Sequence, residues 1–206
     1  MSTKSKKQVD IFREACYAVR REEQAMQTKV DVRGMTHVAL GAVLIAVCSW
    51  ITVPSAGPFT LQTFAVFAVC ALLGGKRGLC AVALYMLLGA AGLPVFSGFG
   101  AGVGALLGPT GGYILGFAFT ALSMWGVEAK FGEALPARIA GMALGLALCY
   151  AFGTAWFMAV YARTNGPIAL GAALSMCVFP FILPDIAKMA LAILLSARLK
   201  PLLRRR

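Results

Sequence analysis

The sequence predicts an all-α integral membrane protein with six transmembrane helices and both termini in the cytoplasm. Three observations carry this. Of 206 residues, 60% are hydrophobic and 13% charged, where a soluble domain holds roughly 25% charged residues. Six apolar stretches follow one another, parted by charged or Pro/Gly-rich breaks. The cations collect on one face of the alternation that those stretches impose.

Residues 1–33 carry eight Lys/Arg and five Asp/Glu. They lack an apolar run long enough for a signal peptide and read as a cytoplasmic tail. Within it Ile11, Phe12, Ala15, Cys16 and Val19 share one face at helical spacing. That pattern fits either a helix lying on the inner leaflet or a solvated tail.

The membrane domain is expected over 34–200. Its first apolar stretch, 37–53, stops at the breakers of 54–58, Pro-Ser-Ala-Gly-Pro. The second, 59–74, ends at the charged turn of Lys76 and Arg77; the third covers 78–92. Residues 93–112 are too glycine-rich for an ordinary helix. The fourth and fifth cover 113–130 and 138–162. The sixth, 168–199, is expected to break at Pro180 and Pro184, and 201–206 to form a basic tail.

With six spans, Lys29, Arg33, Lys76, Arg77, Lys130, Arg138, Arg198, Lys200 and Arg204 to Arg206 share one side. Arg163 stands alone on the other, so the positive-inside rule puts both termini in the cytoplasm of a cell-membrane protein. Several stretches fall short of the usual ~20 residues and require tilt or local thinning.

The net charge of +11 flanks apolar spans and therefore speaks for orientation rather than nucleic-acid binding. No GxxxxGK[ST], HExxH or Ser/His/Asp set occurs. The expectation is no enzyme, no catalytic residue and no cofactor. Five of six cysteines lie in apolar stretches without a CxxC pair, and His37 is the single histidine, so no metal site is expected.

Two small-residue stripes read as helix-packing faces. Gly141, Gly145, Cys149 and Gly153 recur at spacing four, and a neighbouring span of the same chain is their expected partner. Ala39, Ala42 and Ala46 form another, open to internal packing or to a partner protein.

Asp185 and Lys188 pose the central question. Each charge at mid-bilayer costs about 2.5–3.5 kcal/mol on insertion scales. At i, i+3 they share one helix face. With a restart after Pro184, Asp185 would sit in a first turn, favoured by the helix dipole. A carboxylate accepts N–H groups and an ammonium donates to a carbonyl, so the pair suits a neutral group offering both, such as an amide, urea or ureido ring. An ion relay and a purely structural lock between helices are the competing readings.

Five stretches, PFTLQTF (58–64), LLGGKRG (72–78), YMLLGAAGLPVFSG (85–98), LLGPTGGYILGF (106–117) and PFILPDIAKMALA (180–192), resemble the BioY family, the biotin-binding S component of energy-coupling-factor transporters. The resemblance implies a six-helix S-component fold, biotin captured from outside, and a complex with a transmembrane coupling protein and two ATPases. It implies ureido binding by Asp185 and Lys188. The family often has glycine where this chain has Pro184. It also implies a lid over the outer mouth from 93–112, with Gly98, Gly100, Gly102 and Gly108 in it. Ser97, Gln62, Thr63, Tyr85 and Tyr113 are further biotin-site candidates. Tyr113, Tyr150 and Trp156 are candidates for an apolar wall, and Arg163 for the ligand carboxylate. Ala39, Ala42 and Ala46 resemble the surface that docks on the coupling protein. A carrier working alone remains a competing reading.

Overall fold

Eight α-helices and one two-stranded ribbon make up the described residues, 32–53 and 59–204, of the computed structural model. The tail of 1–31 with its amphipathic pattern, the breakers of 54–58 and the final two arginines lie outside them.

Helix α1, Val32–Trp50, gives way to strand β1, Thr52–Val53. β1 pairs antiparallel with β2, Phe59–Thr60, in the register Thr52↔Thr60 and Val53↔Phe59. β-Branched residues hold three of these four positions, which suits extended backbone. Leu61 then turns the chain into α2, Gln62–Leu73, its N–H donating to Ile51 O at 3.1 Å. The second apolar stretch therefore begins as a strand and becomes a helix of 12 residues. At ~1.5 Å rise per residue, such a helix spans about 18 Å.

Gly74, at φ +82°, turns α2 into α3, Gly75–Ala90. Gly75 has no room for a side chain, because a Cβ there would lie 2.2 Å from Trp125 Cα. That close approach lets Glu128, from the end of a later helix, accept the Gly75 N–H. A carboxylate is well placed against a helix N-terminus.

The stretch expected to lack helix contains a 3₁₀ turn, Ser97–Phe99, and a short helix α4, Gly102–Leu107. Next come α5, Gly111–Phe131, and α6, Leu135–Asn165, which accommodates Pro136 in its first turn. The sixth stretch is broken as expected, but at a different point. α7, Leu170–Cys177, ends at Val178, whose φ of −123° departs from helix. α8 then runs unbroken from Phe179 to Arg204. Pro180 falls at its start, where no intrahelical N–H bond is lost; Pro184 sits inside it without ending it. Asp185 therefore lies in the second turn, and the restart after Pro184, with its dipole argument, does not hold. α8 continues into the basic segment expected over 201–206, as far as Arg204.

Helices α1, α6 and the Phe179–Lys200 part of α8 are long and apolar enough to cross a bilayer. At one end, Glu133, after α5, meets Lys200 of α8 at 2.7 Å and Arg138 of α6 at 3.9 Å. Arg163, in the last turn of α6, is at the opposite end of that helix from Arg138.

The glycine stripe of α6 packs against α5, the expected kind of partner. Cβ atoms at Gly141, Gly145 and Gly153 would lie 3.2 Å from Met124 Cα, 2.7 Å from Thr120 Cα and 2.3 Å from the Tyr113 ring. Where glycine clears the way, α5 hydroxyls reach α6 carbonyls. Thr120 Oγ1 donates to Gly145 O at 3.1 Å and Ser123 Oγ to Gly141 O at 3.2 Å. Close backbone approach with such bonds is how helices associate where lipid supplies no hydrophobic drive.

The alanine stripe of α1 turns inward. Ala42 and Ala46 are 1% and 7% exposed and belong to the core, leaving Ala39 on the surface. Neighbouring Gly41 packs on Val69 and Ala81 of α2 and α3. Small residues at these positions serve internal packing, so Ala42 and Ala46 present no open docking surface.

Replacing Gly145 by alanine forces α5 and α6 apart and is expected to destabilise the protein by about 1–3 kcal/mol. A lowered thermal unfolding midpoint in detergent checks this, with the exposed Gly126→Ala, which meets nothing within 4 Å, as the neutral control.

Candidate functional site

A cavity of about 520 Å³ opens between β2, the 93–112 connection and helices α5 to α8. Its size is ordinary for small-molecule sites, which run ~300–1,000 Å³. It draws on residues from the β2–α2 corner, the start of α5 and the α7–α8 break, away from the Glu133 cluster.

Asp185 and Lys188 lie on its wall, 4% and 6% exposed. Lys188 Nζ donates to Asp185 Oδ1 at 2.8 Å. The other carboxylate oxygen accepts the Tyr150 hydroxyl at 2.6 Å. Lys188 Nζ also stands 4.7 Å from the centroid of Phe59, where a ring face attracts a cation. Two of these groups come from α8, one from α6 and one from β2. Every buried side-chain nitrogen and oxygen among the described residues has a partner. Side chains held this way are aimed, and they present their remaining hydrogen-bonding capacity to the cavity.

Of the sequence-derived candidates, Gln62, Thr63, Ser97, Tyr113, Asp185 and Lys188 line the cavity. Tyr85 does not. It is fully buried behind Gln62, whose Nε2 donates to its hydroxyl at 2.7 Å, and its ring meets Phe96 edge-on at 5.5 Å. It positions Gln62 from the core. Tyr113 is fixed by Thr154, 3.1 Å from its hydroxyl. Arg163 is exposed and outside the lining; Trp156, a candidate for the wall, is half-buried and also lies outside the lining.

Sequence reasoning placed Tyr150 among apolar wall candidates and missed its bond to Asp185. A phenol inside an apolar helix needs a hydrogen-bond partner, and that requirement was the available signal. Phe59 gave no signal, since nothing in the spacing brings β2 to α8.

The glycine-rich connection is anchored from two helices. Trp50 of α1 donates its indole N–H to Pro94 O at 2.9 Å and stacks on Phe99 at 5.2 Å. Trp156 of α6 donates to Gly108 O at 3.1 Å. Phe96 inserts against Gly89, where a Cβ would lie 2.0 Å from the ring. Of the four glycines expected in a lid, Gly98 and Gly102 take positive φ of 65° and 79°. Gly100 and Gly108 are extended and line the cavity instead.

The BioY family model matches residues 24–205. The chain is 38% identical over 172 residues to the biotin transporter BioY of Thermotoga maritima, covering 83% of this chain and 98% of that one. It is 36% identical over 156 residues to the biotin transporter BioY2 of Lactococcus lactis subsp. cremoris, covering 75% and 82%. Its fold matches the crystal structure of the S-component for biotin from an ECF-type ABC transporter with a TM-score of 0.71. That match has 25% identity and covers 85% of this chain and 94% of that one.

Trp156→Phe keeps most of the packing but removes one anchor of the connection. Amide hydrogen exchange around Gly108 is expected to accelerate with the unfolding midpoint little changed; unchanged exchange there would show that the indole bond does not restrain the loop.

Proposed function

Because the chain belongs to the BioY family, we propose that it is the substrate-binding membrane subunit of a biotin transporter. In this reading it is an S component that captures biotin from outside and delivers it inward with a transmembrane coupling protein and two ABC ATPases. The observation that carries the reading is the Asp185–Lys188 pair, braced by Tyr150 on the wall of a ligand-sized cavity. Relatives that are named biotin transporters support it. It is a transport role and not an enzymatic one.

Biotin's ureido ring presents N–H groups beside a carbonyl. Asp185 accepts from the first and Lys188 donates to the second, while Tyr150 fixes the carboxylate plane. Gln62, Thr63, Ser97 and Tyr113 complete the walls, and the anchored connection with Gly98, Gly100, Gly102 and Gly108 acts as the lid. The spans are α1, α2, α3, α5, α6 and the α7–α8 pair. The cavity faces outward and the Glu133 cluster inward, with both termini cytoplasmic, in keeping with the positive-inside rule. A cytoplasmic tail before residue 34 belongs to this arrangement. Docking on the coupling protein uses the outer face of α1, with exposed Ala39 beside Leu40, Val43 and Val47; Ala42 and Ala46 shape that helix from within.

A second reading draws on the same closed network. With both charges already partnered, the pair also serves as a lock between α8 and α6. Titration of the purified, ligand-stripped chain separates the two. In the transport reading, the parent binds biotin, Asp185→Asn weakens binding roughly a hundredfold and Tyr150→Phe about tenfold, both remaining folded. Unchanged dissociation constants would sink the assigned roles. No binding by a folded parent, with misfolding of both variants, would leave only the lock. Biotin uptake is expected to vanish in a host lacking every coupling protein and ATPase of this kind. Rapid uptake there would make the chain a solitary carrier.

A further inference from the structure

The charge inventory of the cavity bears on which end of the ligand the protein reads, an inference that rests on the biotin reading above. Among the described residues lining the cavity, Asp185 and Lys188 are the charged ones, and they are bonded to each other at 2.8 Å. The segment 54–58 between β1 and β2, outside the described residues, is Pro-Ser-Ala-Gly-Pro and carries no charge. Arg163 is exposed and is not part of the lining.

Biotin has a neutral bicyclic head and an anionic carboxylate tail. With the ureido head on the pair, the tail meets neutral groups, of which Thr60, Thr63, Ser97 and Thr110 offer hydroxyls. A carboxylate sealed from water without a cation is strongly disfavoured. Hydroxyls donate to a carboxylate oxygen and to an ester or amide carbonyl alike; the stronger bond to the carboxylate is offset by the larger cost of desolvating its charge. We infer that the site reads the ureido head and leaves the carboxyl end unread, so that its ligand class extends to biotin esters and amides neutralised at the carboxylate.

The test is competitive titration of the full chain, stripped of ligand, with biotin, biotin methyl ester and biotin primary amide. The expected result is that ester and amide bind within tenfold of biotin, a difference under about 1.4 kcal/mol. Arg163→Ala is expected to leave all three constants unchanged. Ester and amide more than tenfold weaker, with biotin still tight, would overturn the inference and place the carboxylate on a cation, Lys188 being the one on the wall. A tenfold loss of biotin alone in Arg163→Ala would overturn it as well and identify that arginine as the reader. If a folded parent fails to bind biotin itself, the transport reading fails first and the selectivity falls with it.

Discussion

The ion pair of α8 sets the terms for the rest of the molecule. Two charges in an apolar helix are tolerable only when their hydrogen-bonding capacity is met and water or lipid is kept away. Lys188 and Asp185 meet that demand partly in each other, but the second carboxylate oxygen needs Tyr150 of α6 and the ammonium leans on Phe59 of β2. The pair therefore fixes the seating of α8 against α6 and draws the β ribbon over it. The cavity lies where those three elements meet.

What holds α6 in place is an arrangement of a different kind. Its glycines admit the α5 backbone, and α5 hydroxyls then bond to carbonyls that side chains would otherwise cover. Such bonds contribute modestly one at a time, about 0.6 kcal/mol on average in membranes. Repeated along two helices they leave little freedom to slide. Tyr150 thus stands on a helix whose register is fixed by residues far from the charges.

Much of this was legible in the sequence. Apolar length marked the helices, the lone acid and lysine inside the last stretch marked one wall of the cavity, and spacing four marked the α5–α6 contact. What stayed hidden depended on direction or on distant partners. The alanines of α1 have the spacing of a contact face, but spacing does not say inward or outward; packing on α2 and α3 decides it. The position of Pro184 suggested a break before Asp185, yet α8 passes through Pro184 and the chain breaks at Val178, ahead of α8, instead. Tyr85 has a polar tip like a ligand residue, but its tip is spent on Gln62. Phe59 reaches Lys188 only because the ribbon folds back, a tertiary event that leaves no periodic trace.

The two indole anchors also make the connection between α3 and α5 a strap with fixed ends. One end is tied to α1 through Trp50 and the other to α6 through Trp156. A hydrogen bond tolerates only a few tenths of an ångström of stretch before it weakens steeply. The strap therefore gauges the separation of α1 and α6: any tilting that parts these helices must release the Trp156 bond, release the Trp50 bond together with that of Ser49 to Val95 O, or straighten the glycine backbone between them. Part of the cavity lining and the relative tilt of two distant helices are in this way one mechanical variable.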